Sequence, residues 1–85
     1  MREQVVQRPP ERLAMNIVRR DLDGADGLLR EHVLNIHVSS REEGEAYLRD
    51  QVSRGFDTHG FDPVNNCWWG RHANGQHISR FFIEP

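Results

Sequence analysis

The C-terminal segment 67–83 constrains the fold most, because it contains two short aromatic and β-branched runs separated by Asn74-Gly75. Asn-Gly between two such runs favours a two-residue hairpin turn of type I′, in which both central residues need a positive φ. That turn also defines the cross-strand pairs, beginning with His72 opposite His77 near the tip. The sequence therefore predicts a β-hairpin with a defined register.

Alternation along the two strands divides the side chains of this hairpin between two faces. One face has the character of a core surface and consists of Trp68, Gly70, Ser79, Phe81 and Ile83. The other, which we call the aromatic–arginine face, consists of Trp69, Arg71, Ile78, Arg80 and Phe82. Trp and Arg dominate the energetics of protein interfaces, so we predict that this face binds a partner. A solvated sheet face covered by arginine stems is the alternative, and the guanidinium of Arg80 is placed to stack on Trp69.

The composition predicts one small globular domain. The chain has 85 residues, of which 36% are hydrophobic and 28% are charged, as in folded rather than disordered proteins. Its 13 acidic and 11 basic residues give a formal net charge of −2, which argues against a constitutive nucleic-acid binder. We expect residues 12–85 to form a single α+β domain after a flexible lead-in at residues 1–11.

The chain has the features of a cytoplasmic protein. Its single cysteine, Cys67, cannot form an intramolecular disulfide and is typical of a reducing compartment. The N-terminus lacks the apolar run of a signal peptide, and no segment approaches the roughly 20 apolar residues of a membrane span. We therefore expect no association with a membrane.

The first half of the chain predicts two strands joined by a turn. Residues 12–21 favour a strand over a helix, and the Asp- and Gly-rich segment 21–27 favours a turn. The alternation at 32–38 is typical of a half-buried strand. Together these segments predict an N-terminal antiparallel hairpin.

A helix is predicted next, because Ser40 and Glu43 form a capping-box pattern. It is expected to run from about Arg41 to Arg54 and to stop at Gly55 as its C′ residue. Its apolar stripe, which consists of Tyr47, Leu48 and Val52, is expected to pack on the sheet.

Between the helix and the last hairpin lies Phe61-Asp62-Pro63-Val64-Asn65-Asn66-Cys67-Trp68. This segment resembles the turn of a kelch blade, in which an aromatic-Asp-Pro triplet enters a loop whose Asn precedes a Trp. A chain this short cannot form a propeller, so the resemblance implies only a further hairpin, with strands at about 57–61 and 67–72. The complete prediction is an α+β fold, an antiparallel sheet of four to five strands with one helix on one face. The order is β-β-α-β-β, or β-β-α-β-β-β.

The sequence contains two weak candidates for a metal site. His72 and His77 are expected to have Cβ atoms about 5 Å apart, but zinc needs three or four ligands. The acidic segment 21–31 resembles an EF-hand calcium loop, except that its third Asp, its Gly and its Glu are each displaced by one place. An Asp- and Gly-rich turn is the preferred interpretation, and we predict neither a metal nor a cofactor.

No catalytic motif accompanies these patterns. Cys67 is expected opposite Phe82, without a neighbouring base, as a small packed hydrophobe. We predict a noncatalytic interaction module that binds itself or a larger protein through the aromatic–arginine face. The alternative is single-stranded nucleic-acid binding, with bases stacked on Trp69 and Phe82 and with phosphates on the two arginines of that face.

Overall fold

The protein forms an antiparallel sheet with one helix packed on it. The computed structural model describes residues 15–25 and 27–85. The elements are β1 (Met15–Leu22), β2 (Leu28–Val38), α1 (Arg41–Gly55), β3 (Thr58–Asp62), β4 (Cys67–Arg71) and β5 (Ile78–Glu84). The sheet order is β2-β1-β5-β4-β3, and every pair is antiparallel. This confirms the α+β prediction in its five-strand form. The predicted lead-in at residues 1–11 lies outside the described residues.

The N-terminal hairpin is longer than predicted. The β1 strand continues to Leu22, one residue past the predicted strand end at Asp21, and β2 already begins at Leu28, before the predicted strand at 32–38. In the connection, the carboxylate of Asp23 accepts hydrogen bonds from the backbone N–H groups of Ala25 and Gly27 at 2.9 and 2.8 Å. Those bonds lower the pKa of Asp23, so the turn contains a permanently ionised cap at neutral pH.

The helix α1 begins where the capping pattern predicts. The hydroxyl of Ser40 accepts the backbone N–H of Glu43 at 3.1 Å. The carboxylate of Glu43 accepts hydrogen bonds from the hydroxyl and the backbone N–H of Ser39, at 2.6 and 2.9 Å. In the standard capping box this carboxylate bonds the backbone N–H of the N-cap residue, which here is Ser40, so the contact is shifted by one residue. At the other end, Gly55 is the last helical residue and Phe56 is the C-cap. The prediction of Gly55 as the C′ residue is therefore wrong, and no described glycine has a positive φ.

The core lies between α1 and one face of the sheet. It consists of Ile17, Val38, Leu48, Val52, Phe81 and Ile83. The helix approaches the sheet closely at Gly44, where a β-carbon would lie 2.9 Å from Cδ1 of Ile83 and 3.2 Å from Cγ2 of Val38. The helix of the described residues, α1, is too short and too polar to span a membrane.

The predicted register of the C-terminal hairpin is correct, but its turn is not. Trp68 pairs with Phe81, and Trp69 pairs with Arg80. The backbone N–H of Gly75 bonds the carbonyl of His72 at 3.0 Å, which places Ala73 and Asn74 at the centre of the turn. A type I′ turn needs a positive φ at both Asn74 and Gly75. Among the described residues, however, only Asn66 has a positive φ, of 55°. The predicted type I′ turn at Asn74-Gly75 is therefore wrong.

Tertiary contacts explain the altered turn. The backbone N–H of Ala73 donates to the carboxylate of Asp57 at 2.6 Å, and the ring of His72 lies 4.8 Å from the ring of Phe56. These contacts fold residues 72–77 into a loop beyond the ends of β4 and β5. His72 and His77 therefore lie in this loop and do not form the predicted cross-strand pair.

The β3–β4 hairpin matches the prediction. Its connection is capped by Asp62, whose carboxylate accepts the side-chain amide of Asn65 at 2.7 Å and the backbone N–H of Val64 at 2.9 Å. The bond from Asn65 contributes most to lowering the pKa of Asp62. The left-handed residue Asn66 then returns the chain into β4.

Candidate functional site

The aromatic–arginine face lies on the side of the sheet opposite α1. Four of its five residues, Trp69, Arg71, Ile78 and Arg80, line one concavity of about 360 Å³. The concavity is completed by Phe61, Asp62 and Pro63, which the sequence analysis did not assign to a site. For Asp62 a sequence signal existed, because the pairing of β3 with β4 places it opposite Cys67 and on this same face.

Trp69 leans towards β3 rather than towards β5. It pairs with Gly60 across the strands, and a β-carbon at Gly60 would lie 3.1 Å from Nε1 of the indole. Four arginine–aromatic contacts occur in the described residues, and none of them joins Arg80 to Trp69. The predicted stacking of Arg80 on Trp69 is therefore wrong, because the indole fills the space above a strand glycine instead.

Phe82 occupies a neighbouring, more charged part of the same face. The guanidinium of Arg20 lies 4.6 Å from the centroid of its ring. Arg20 also bonds the carboxylates of Glu31 at 2.6 Å and Glu84 at 3.3 Å, and thus bridges β2, β1 and β5. On this half of the face the arginine is paired within the protomer, with two carboxylates.

The other half of the face carries charges of both signs. Arg71 and Arg80 have no carboxylate of another described residue within 4.0 Å. Asp62 lies in the same concavity, and the charge of Arg80 adds a smaller contribution to the lowered pKa of that carboxyl. Asp62 is therefore ionised at neutral pH, beside two cations.

Cys67 lies on this face but is 1% exposed. Burial raises the pKa of its thiol, while the charges of Arg80 and Asp62 have smaller, opposing effects. The thiol is protonated at neutral pH, and only the thiolate is a good nucleophile. This agrees with the interpretation of Cys67 as a packed hydrophobe.

The helix side of the sheet contains a buried polar cluster that the sequence analysis missed. Asp21 and Ser79 are 4% and 5% exposed, and the Ser79 hydroxyl donates to the Asp21 carboxylate at 2.6 Å. Arg19 and Arg30 donate to the same carboxylate at 2.9 and 3.1 Å. The extension of the β1 alternation from Ile17 through Arg19 would have placed Asp21 on the core side.

The pKa of Asp21 reflects two opposing influences. Burial alone raises it, but the hydrogen bonds from Ser79 and Arg19 and the charges of Arg19 and Arg30 outweigh burial and lower it. The carboxylate therefore stays ionised inside the protein. In the segment that resembles a calcium loop, the Asp21 carboxylate is thus already bonded to Ser79 and the two arginines. Asp26 of that segment lies outside the described residues.

The metal candidates are not brought into a ligand cluster. His72 and His77 line a common cavity on the helix side. Within residues 15–25 and 27–85, no group of three or more His, Cys, Asp or Glu side chains is placed to hold a metal ion.

Comparison of the chain with models of known protein families, with curated proteins and with solved structures gives no match.

Proposed function

We propose that this protein is a noncatalytic interaction module that self-associates through the aromatic–arginine face. The observation that carries the proposal is the one-sided position of the helix. The core forms between α1 and the opposite face of the sheet, while Trp69, Ile78 and Phe82 remain partly exposed. Covering such apolar surface contributes about 25 cal/mol per Å².

The charges of the concavity suit a second copy of the same surface. In a two-fold dimer, each protomer presents the same patch to its partner. Asp62 of one protomer can then approach Arg71 or Arg80 of its partner, since all three line the concavity. The lowered pKa of Asp62 supports a charge-assisted contact at neutral pH.

The residue types also favour a protein surface over a reaction centre. Trp69 and the two arginines belong to the types that are enriched at the energetic centre of protein interfaces. The thiol of Cys67 is buried and protonated, so it supplies no nucleophile. A single unreactive cysteine suits a reducing compartment, and we place the protein in the cytoplasm.

The test is the solution mass of the native chain over a range of concentrations, measured by light scattering or sedimentation. We expect a dimer that dissociates on dilution. Arg71→Glu removes a cation from the concavity at an exposed position and is expected to raise the dimer Kd by about tenfold or more. The control is Arg49→Glu, the same change on the exposed surface of α1.

A native chain that is monomeric at every concentration overturns the proposal. A dimer that Arg71→Glu leaves intact also overturns it, and points instead to the edge of β2, where Val33 is 66% exposed. Circular dichroism of both variants shows whether the fold is retained.

Single-stranded nucleic acid is the competing occupant, because Trp69 and the two arginines could stack on bases and contact phosphates. A mixed-sequence oligonucleotide titrated at low and high salt separates the two. Binding that weakens steeply with salt and disappears in Arg71→Glu would assign the face to nucleic acid and contradict self-association.

A further inference from the structure

We infer that the helix side of the sheet contains a second binding site, for a small organic anion with a planar body. The site is a cavity of about 420 Å³ beyond the C-terminal end of α1. Its lining includes Arg19, Asp21, Arg30, Phe56, His72 and His77. Cavities of this size, with a few convergent polar groups and an aromatic wall, are typical of small-molecule sites.

The polar wall of the cavity is rigidly built. Asp21 and Ser79 are more than nine-tenths buried and bond each other at 2.6 Å. The Arg19 guanidinium donates hydrogen bonds to both residues, from Nε to the Asp21 carboxylate at 2.9 Å and from Nη2 to the Ser79 hydroxyl oxygen at 3.1 Å. Its plane is further fixed by the ring of Phe81, whose centroid is 5.5 Å away. An arginine held in this way meets a ligand without losing further side-chain freedom.

The charge of the cavity favours an anion. Arg19 and Arg30 lie on it against the one carboxylate of Asp21, so these three groups have a formal charge of +1. The side chain of Arg19 is 35% exposed and that of Arg30 is 67% exposed. Both guanidinium groups can therefore offer N–H donors to a carboxylate or phosphate in paired hydrogen bonds.

Two aromatic rings supply a surface for the body of the ligand. Phe56 and His72 have ring centroids 4.8 Å apart and planes inclined by 32°, and both line the cavity. A second cavity of about 290 Å³ shares Arg19, Phe56 and His72 with the first. It continues along α1 past Tyr47 and Leu34. A planar, apolar group can extend into it while its anionic end stays at the arginines.

The test is NMR titration of the native chain with phenyl phosphate, benzoate, inorganic phosphate and benzyl alcohol. We expect phenyl phosphate to shift the amides of Arg19, Arg30, His72 and His77 and to bind about tenfold or more tightly than neutral benzyl alcohol. Comparing the affinities of benzoate and phenyl phosphate shows whether the arginines prefer a carboxylate or a phosphate. Inorganic phosphate shows whether the planar body contributes.

The matched variants are Arg30→Gln and Arg49→Gln. Arg30 is largely exposed, and Asp21 keeps Arg19 and Ser79 when Arg30 is replaced, so the fold is expected to persist. Arg30→Gln is expected to weaken phenyl phosphate binding by about fivefold or more, and Arg49→Gln to leave it unchanged. The inference would be overturned by equal affinities for benzyl alcohol and phenyl phosphate, or by an unchanged affinity for phenyl phosphate in Arg30→Gln. The absence of any amide shift at the highest phenyl phosphate concentration would overturn it as well.

This site is independent of the proposed dimer. The cavity lies on the helix side of the sheet, whereas Arg71 lies on the opposite side. Arg71→Glu is therefore expected to change the solution mass without changing anion binding.

Discussion

The ring of Phe56 lies directly against the backbone of Gly70. A β-carbon at Gly70 would be 2.3 Å from two ring carbons of Phe56. Phe56 is the C-cap of α1 and Gly70 lies in β4, so this contact docks the end of the helix on the sheet. The ring also meets Phe81 edge-on, with centroids 6.1 Å apart. No side chain larger than hydrogen fits at position 70 without displacing that ring.

Gly70→Ala should therefore destabilise the protein, because the added methyl group forces Phe56 out of its place. The expected loss is about 1–3 kcal/mol of unfolding free energy, as for other overpacked positions, measured by urea denaturation. Gly55→Ala is the matched control, since nothing lies within 4 Å of a β-carbon there. It should leave the stability unchanged or raise it by up to about 1 kcal/mol. Equal losses in the two variants would contradict this account of Gly70.

Asp21→Asn should destabilise the protein at neutral pH by about 1–3 kcal/mol, because the buried carboxylate loses its charged hydrogen bonds to Ser79, Arg19 and Arg30. The pKa of Asp21 is lowered in the folded state. Its stabilising effect is therefore fully present above the unfolded pKa of about 3.9 and is lost as the pH falls through the folded value. The stability difference between native and variant chains should shrink below about pH 4.

Urea denaturation of both chains at pH 7, 5 and 3 measures that difference. The other carboxylates with lowered pKa values, those of Asp23, Glu43 and Asp62, are present in both chains and cancel in the comparison. A difference that stays constant from pH 7 to pH 3 would show that the charge of Asp21 does not stabilise the fold.

Ser40→Ala should destabilise the N-terminus of α1. The Ser40 hydroxyl accepts the backbone N–H of Glu43 at 3.1 Å, and loss of such a cap costs about 0.5–2 kcal/mol. Ser53→Ala, at an exposed position inside the helix, is the control. It should be neutral or slightly stabilising, because alanine has the higher helix propensity. Thermal unfolding followed by circular dichroism distinguishes the two outcomes.

Cys67 should be unreactive in the folded protein, because it is 1% exposed and burial raises the pKa of its thiol. Labelling by a thiol reagent at pH 7 is expected to be slower by a factor on the order of 100 or more than in the urea-unfolded chain. The unfolded chain provides the reference rate. Fast labelling in the absence of urea would show that the thiol is accessible in the folded protein and would contradict this prediction.

Several elements were predictable because their signals are local. The cap of α1 depends on Ser40 and Glu43, three residues apart. The register of the last hairpin follows from alternation, which places Trp69 opposite Arg80 and sorts the side chains between two faces. The residues of the aromatic–arginine face were grouped correctly for the same reason, whereas their binding role stays a prediction.

The features that were missed depend on contacts between distant segments. The loop at 72–77 is shaped by Asp57 and Phe56, which outweigh the local preference of Asn74-Gly75 for a type I′ turn. The indole of Trp69 packs over Gly60, a residue of another strand, and so does not stack on Arg80.

The sequence by itself determined the order of the strands and helix, the helix start and the face on which each hairpin residue lies, because these depend on periodicity and capping within a few residues. Only the tertiary structure decided that Asp21, at the junction of the predicted strand and turn, is buried against Ser79, 58 residues away. It likewise decided that α1 packs closely on the sheet at Gly44 and that the ring of Phe56 packs on Gly70, where in each case a β-carbon would clash. Such contacts arise when the sheet closes and the helix packs on it, and no local pattern specifies which distant side chain will fill the space.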